Sequence, residues 1–160
     1  MPRVAVLDTG YDSYDQEKSI FSSAGYELRI FAGGRHDRRA KMAFAAHAVG
    51  VLLRWTRVDE RFLKALPELK AIVRYGVGYD NIDVAACTRR GVSVSNVRGY
   101  ANHSVSDHAL ALILACARGL PQGRISLHRK FGVPPRSENL DLHDKTLGIV
   151  GLGNIGSTLC

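Results

Sequence analysis

Cysteine is scarce in this sequence, and the three that are present, Cys87, Cys116 and Cys160, lie far apart. Their number is odd, and neither a C-x-x-C pair nor a Cys/His ligand spacing accompanies them, so the sequence predicts no disulfide framework and no metal site. Apolar runs long enough to cross a bilayer are also missing, and the chain opens with MPRVAVLD, a strand-like start in place of a signal peptide. These absences favour a cytoplasmic protein without a membrane partner.

Internal repeats and low-complexity tracts are absent as well, and a hydrophobic content of 46% over 160 residues is enough for a sizeable core. Basic residues outnumber acidic ones, 22 against 15, which leaves a net charge of +7. The densest basic cluster is Arg35, Arg38, Arg39 and Lys41, and no basic stripe interleaved with aromatic residues is found. The charge therefore favours small anionic partners over nucleic acid.

Short apolar runs alternate with segments of helical periodicity along the first hundred residues. The runs predicted as strands are residues 4–7, 26–31, 48–53, 71–73 and 92–94. Asp59 and Asp83 are placed to cap the helices that precede the last two strands. This alternation predicts an α/β fold whose parallel sheet is covered on both faces, with the flavodoxin-like strand order 2-1-3-4-5.

The fourth predicted strand ends at the glycine loop Gly76-Val77-Gly78. Two glycines within three residues permit positive φ at both positions and expose backbone N–H groups, which makes a small anion cradle. Ligands of parallel sheets bind beyond the carboxyl ends of the strands, so Asp8, Arg54 and this loop are expected on one rim.

Asp8, at the end of the first strand, has three interpretations. It could be the acid of a receiver domain, or Thr9 and Gly10 could open a flavodoxin phosphate loop. A receiver needs a phosphoacceptor Asp after its third strand, where this sequence has Leu53-Arg54-Trp55, and a flavodoxin loop needs more hydroxyls than DTGYDSYD offers. A simple turn after a strand is therefore favoured.

A long apolar helix is predicted over residues 102–118. Ser104 and Asp107 have the spacing of a capping box, and apolar residues on more than one face predict burial on several sides. His108 could be a catalytic base, but a residue of a capped first turn is favoured. A polar connection over residues 121–139 leads to a strand over residues 146–150 and then to Gly151-Leu152-Gly153-Asn154-Ile155-Gly156, a pattern typical of dinucleotide-binding turns.

Four segments follow one another in the order and spacing of one family: VRYGVGYDNID, RGVSVSNVRGY, SVSDHALALILACAR and KTLGIVGLGNIG. The chain resembles the D-isomer-specific 2-hydroxyacid dehydrogenases, and Arg74 to Gly78 together with Ser106-Asp107-His108 is most similar to the subgroup related to C-terminal-binding-protein corepressors. The resemblance implies a flavodoxin-like substrate domain over residues 1–100. Residues 101–160 would then hold a dimerisation helix, a linker and the incomplete start of a Rossmann domain. Family members are longer than this sequence, so a fragment is expected.

The resemblance also implies a function, the interconversion of 2-keto acids and D-2-hydroxy acids with NAD, NADP being left open. Substrate-binding positions would be Arg54, Tyr75, Gly76, Val77 and Gly78. Cofactor-binding positions would be Val105, Gly151, Gly153, Asn154, Ile155 and Gly156. The family's catalytic histidine, glutamate and arginine fall outside the matched segments, so no catalytic residue is assigned and the chain is expected to be inactive alone. A homodimer is implied, and the alternative function is a nucleotide-sensing, corepressor-like binding scaffold.

Overall fold

The computed structural model describes residues 1–121 and 140–160, which form two compact units, Met1–Arg98 and Gly99–Cys160. The first unit contains a parallel five-stranded sheet of order β2-β1-β3-β4-β5. Its strands are β1 (Arg3–Val6), β2 (Glu27–Ile30), β3 (Ala48–Leu53), β4 (Ala71–Arg74) and β5 (Ser93–Asn96). Its helices are α1 (Asp15–Ser23), α2 (Arg38–Phe44), α3 (Glu60–Ala65) and α4 (Val84–Arg89). The predicted α/β class and flavodoxin-like order are confirmed.

The sheet is buried on both faces because its central strands carry apolar side chains in succession. In β3, Val51 and Leu53 belong to one core cluster, whereas Leu52 between them belongs to the cluster on the opposite face. Side chains alternate across a strand, so an uninterrupted apolar run fills both cores. The larger cluster includes Phe62 and Ile72, both at most 1% exposed. Each such side chain contributes roughly 1.5–3 kcal/mol on burial.

Aspartate side chains begin three of the four helices of this unit. The Asp37, Asp59 and Asp83 carboxylates accept the backbone N–H groups of Ala40, Phe62 and Ala86 at 2.9, 3.0 and 2.8 Å. Each of these bonds satisfies a donor that the first turn of a helix leaves free. The caps predicted at Asp59 and Asp83 are therefore confirmed.

The second unit contains α5 (Asn102–Ala117) and α6 (Asn154–Leu159). The capping box predicted at Ser104 is wrong, because α5 already begins at Asn102 and the Ser104 hydroxyl instead donates to the carbonyl of Ala101 at 3.3 Å. His108 is accordingly an exposed residue within the helix. Burial of α5 on several sides is also wrong for the single chain, since Ser106 is the buried residue of this helix.

Residues 146–150 do not form the predicted strand. A strand needs a neighbour to complete its ladder of hydrogen bonds, and no strand among the described residues pairs with this segment. Of the polar connection predicted over residues 121–139, residues 122–139 lie outside the described part of the chain. No helix within the described ranges is long and apolar enough to cross a bilayer.

Candidate functional site

Asp8 organises the loop that follows β3. One oxygen of its carboxylate accepts the backbone N–H groups of Arg54, Trp55 and Thr56 at 2.8, 2.7 and 2.8 Å. The other oxygen accepts the Thr56 hydroxyl at 2.8 Å and the Lys41 ammonium at 2.6 Å. A single buried side chain thus fixes three consecutive residues at the carboxyl edge of the sheet.

Lys41 is the buried counter-ion of Asp8. Its Nζ also donates to the carbonyl of Arg35 at 2.6 Å and to the Thr56 hydroxyl at 3.1 Å. Burial opposes ionisation of the carboxyl group, but Lys41 and the N–H groups of Thr56 and Arg54 outweigh it and lower the pKa of Asp8 to about 2. The pair is therefore charged at neutral pH.

The sequence interpretation missed this ion pair. From the sequence alone, Asp8 has the pattern of a simple turn and Lys41 that of one member of a basic cluster. The structure shows that Lys41 is itself buried, which neither its charge nor its basic neighbours in the sequence indicate.

The Arg54 side chain reaches the same rim as Tyr75. Its guanidinium carbon lies 4.6 Å from the centroid of the Trp55 ring and 5.6 Å from that of Tyr11. The Tyr11 ring contacts the Tyr75 ring edge-on at 5.4 Å. Arg54 and Tyr75, which follow different strands, therefore both contact Tyr11. Tyr11 was not among the site residues predicted from the sequence.

Tyr75 is held by a hydrogen bond to α1. Its hydroxyl donates to a carboxylate oxygen of Glu17 at 3.0 Å. Burial and the neighbouring Glu17 carboxylate both raise the pKa of Tyr75 above its ordinary value of 10.0. The phenol therefore remains a neutral donor at physiological pH.

The glycine loop offers two free backbone donors, those of Val77 and Gly78. The N–H of Gly76 donates to the carbonyl of Arg74 at 2.9 Å. No acceptor in residues 1–121 or 140–160 takes the N–H groups of Val77 or Gly78, and both residues are exposed. The Asn96 amide donates to the carbonyl of Val77 at 2.6 Å, which fixes the orientation of this peptide.

The two loop glycines differ in conformation. Gly76 has a φ of +142°, and a Cβ at this position would lie 1.6 Å from Nη1 of Arg74. Positive φ predicted at Gly78 is wrong, and a Cβ there would meet only a carboxylate oxygen of Asp80 at an ordinary 3.5 Å. Backbone conformation and space thus require glycine at position 76, whereas neither requires it at position 78.

The second unit carries the glycine turn that precedes α6. Gly151 has a φ of +102°, and Gly153 directly precedes Asn154, the first residue of the helix. A Cβ on Gly156 would lie 2.1 Å from the carbonyl oxygen of Gly151, an approach that real side chains do not tolerate. The spacing of the first and last glycines thus has a direct steric cause, which is the geometry that dinucleotide-binding turns require.

Ser106 links α5 to this turn. It is 4% exposed, and its hydroxyl donates to the carbonyl of Ile155 at 3.0 Å. The neighbouring Val105, predicted near the cofactor, is 41% exposed on the same helix. Ser106 was not predicted as a site residue, because its hydrogen bond joins positions 49 residues apart.

Within the described ranges, no group of three or more His, Cys, Asp or Glu side chains is arranged to hold a metal ion. The rim of the first unit carries the Arg54 guanidinium, the neutral phenol of Tyr75 and the free backbone N–H groups of the glycine loop. These groups can bind and orient a small carboxylate.

The chain belongs to the family of D-isomer specific 2-hydroxyacid dehydrogenases, because a model of that family's catalytic domain matches residues 4–158. It is 42% identical over 139 residues to D-3-phosphoglycerate dehydrogenase of Mycobacterium tuberculosis, which covers 86% of this chain and 26% of that protein. Glyoxylate reductase of Pyrococcus furiosus is 34% identical over 164 residues, covering 97% of this chain and 46% of the relative.

Among solved structures, NAD+-bound 3-phosphoglycerate dehydrogenase of Entamoeba histolytica superposes with a TM-score of 0.70 at 26% identity. That match covers 99% of this chain and 49% of the other. The chain thus spans between about a quarter and about half of the length of these relatives. The family resemblance found in the sequence is confirmed.

Proposed function

We propose that this chain supplies the substrate-binding part of an NAD(P)-dependent oxidoreductase that interconverts D-2-hydroxy acids and 2-keto acids. The observation that carries the proposal is the meeting of Arg54, Tyr75 and the glycine loop at one edge of the sheet. Relatives named for phosphoglycerate and for glyoxylate support the shared chemistry, a carboxylate next to the carbon that is oxidised or reduced. We also propose a cytoplasmic location.

The rim binds the substrate carboxylate in this proposal. The N–H groups of Val77 and Gly78 donate to its oxygens, and the Arg54 guanidinium neutralises its charge. Charge-assisted hydrogen bonds of this kind fix orientation as well as affinity, which holds the reacting carbon in register for transfer. These residues bind and orient, and none is assigned a proton transfer.

The glycine turn of the second unit fits a dinucleotide. The close approach of Gly156 to the Gly151 carbonyl keeps the backbone of this turn free of side chains, so a pyrophosphate could contact the N–H groups of Gly153, Asn154 and Ile155. When bound, the nicotinamide ring would supply or accept the hydride. Val105, exposed on α5, is proposed as an apolar neighbour of that ring.

In the intact enzyme that contains this chain, Arg54→Ala is expected to raise the KM for a 2-keto acid by roughly ten- to a hundredfold, because a charge-assisted hydrogen bond contributes about 1.5–3 kcal/mol. The KM for NADH or NADPH should not change. Steady-state oxidation of the reduced cofactor with a panel of 2-keto acids measures both constants.

Arg3→Ala is the matched control, since it removes the same charge at the amino ends of the strands, where Arg3 forms an exposed pair with Glu27. An Arg54→Ala enzyme with an unaltered KM would remove Arg54 from the site. If no 2-keto acid supports oxidation of the cofactor by the unsubstituted enzyme, the proposed function itself is wrong.

We also propose that a second copy of the chain covers the apolar face of α5. Leu110, Leu112 and Leu114 are 46%, 53% and 43% exposed, and an apolar groove runs between this helix and residues 140–147. A two-fold pair of such faces would bury several leucines at roughly 1.5–3 kcal/mol each when fully covered. Light scattering is expected to give twice the 17.5 kDa chain mass.

Leu112→Asp should return the protein to a monomer. Ile20→Asp serves as the control, because Ile20 is 64% exposed on α1 in the other unit. A monodisperse mass of 17.5 kDa for the unsubstituted chain at micromolar concentration would contradict the dimer.

A further inference from the structure

We propose that the first unit holds a second anion site, distinct from the glycine loop, which binds a phosphate group. A cavity of about 250 Å³ opens beside the ends of β1 and β3. Lys41 and Thr56 line it, together with the side chains of Arg35, His36, Arg38, Trp55 and Arg57. We call this cavity the basic pocket, and no residue of the glycine loop lines it.

The basic pocket carries more positive charge than its acidic neighbours neutralise. Of its four cationic side chains, Lys41 is paired with Asp8, and Arg38 is paired with Asp59. Among the described residues, no carboxylate lies within ion-pair distance of Arg35 or Arg57. Two positive charges in the lining of one small cavity therefore have no direct ion-pair partner, which matches the charge of a phosphate dianion.

Arg38 provides a buried donor that has no acceptor. One of its terminal nitrogens is bonded to Asp59, but its Nε is buried and makes no hydrogen bond within the described ranges. A buried N–H without an acceptor is costly, and such groups in native structures are rare. An oxyanion in the basic pocket would satisfy it.

Two of the cations, Arg35 and Lys41, are held in place before any ligand arrives. The guanidinium carbon of Arg35 lies 4.0 Å from the centroid of the Trp55 ring, and the Arg35 carbonyl accepts a hydrogen bond from Lys41. Lys41 in turn is fixed by the buried carboxylate of Asp8. Preorganised donors lose little conformational entropy on binding, so a small anion can be held by few contacts.

Trp55 contacts one arginine of the basic pocket and one of the proposed carboxylate site. Arg54 and Arg35 both stack against its ring, at 4.6 and 4.0 Å from the centroid. Arg54 also contacts Tyr11 beside the glycine loop, whereas Arg35 lines the basic pocket. The two anion sites thus use different arginines on a shared aromatic partner. Arginine is suited to phosphate because its planar fork can donate two parallel hydrogen bonds.

The test is a calorimetric titration of the 160-residue chain with inorganic phosphate, without cofactor or hydroxy acid, so its outcome is independent of the proposed dehydrogenase function. Arg35→Ala and Arg57→Ala are each expected to weaken phosphate binding by roughly tenfold, the loss of one charge-assisted hydrogen bond. Arg3→Ala, which removes an equal charge from the opposite edge, should bind phosphate as the unsubstituted chain does. Both pocket arginines are exposed, so circular dichroism should show unchanged folding.

Glycerol phosphate provides the second arm. If glycerol phosphate binds about as tightly as inorganic phosphate, the ligand class is a phosphorylated small molecule. If only inorganic phosphate binds, the ligand is the free anion. Either result supports the site, provided that Arg35→Ala and Arg57→Ala weaken the binding. The proposal would be overturned if the dissociation constant for phosphate were the same in Arg35→Ala, Arg57→Ala and Arg3→Ala. It would also be overturned if the chain showed no saturable phosphate binding.

Discussion

Replacing Asp8 with asparagine is expected to lower the free energy of unfolding of the first unit by about 3–5 kcal/mol, the usual cost of breaking a buried ion pair on one side. The Lys41 ammonium would remain buried without its counter-ion, and three backbone N–H groups would face a weaker acceptor. Urea unfolding followed by circular dichroism measures the change. A loss below about 1 kcal/mol would mean that the pair is not buried in solution.

Lys41→Met distinguishes the charge from the hydrogen bonds. The double variant Asp8→Asn/Lys41→Met should be more stable than Asp8→Asn alone, because it leaves no uncompensated charge. If the double variant loses as much stability as the two single variants added together, the two side chains are not directly coupled.

The same pair predicts a pH dependence. The folded pKa of Asp8, about 2, is below its ordinary value of 3.8, so the stabilisation is fully present above 3.8 and is lost as the pH falls toward 2. The stability difference between the unsubstituted protein and Asp8→Asn should therefore shrink over this interval. A difference that stays constant down to pH 2 would contradict the assignment.

Substitutions at the two loop glycines should have different effects on the free energy of unfolding. Gly76→Ala is expected to cost about 1–3 kcal/mol, because it places a side chain at strongly positive φ and displaces the Arg74 guanidinium. Gly78→Ala should stay within about 0.5 kcal/mol of the unsubstituted protein, as other unconstrained surface positions do. Urea unfolding of both variants provides the comparison.

In the proposed intact dehydrogenase, Gly78→Val should raise the KM for a 2-keto acid severalfold, because the valine side chain would lie where the proposed carboxylate approaches. Its unfolding free energy should change little. Equal losses of stability in Gly76→Ala and Gly78→Ala would show that both positions are structurally constrained, contrary to the geometry found.

The fold could be predicted because its signals are local. Apolar runs of strand length, aspartate caps such as Asp59 and the glycines that end helices all act through neighbouring residues. The parallel order then followed from general connection rules. The same local pattern predicted a strand over residues 146–150, which the structure does not form. A strand needs hydrogen bonds to a neighbouring strand, and none of the described strands lies beside this segment.

The rim could be predicted only in part. Arg54 and the glycine loop were recognisable because each directly follows a strand whose carboxyl end lies at the binding edge. The Asp8–Lys41 pair could not be predicted, because it joins positions 33 residues apart and neither residue shows from the sequence alone that it is buried. Tyr11 and Ser106 were missed for the same reason, because their contacts depend on tertiary packing.

The bonds from Asp8 to the loop after β3 span 46 to 48 residues of chain. Contacts this distant close late in folding, because the entropy of the intervening segment must be overcome first. The loop bearing Arg54 should therefore take its final shape only when β1 docks beside β3. A partly folded chain whose helices have formed but whose β1 is detached would lack the rim that binds the ligand. Ligand binding therefore reports on the completed assembly of the sheet and not on the helix content.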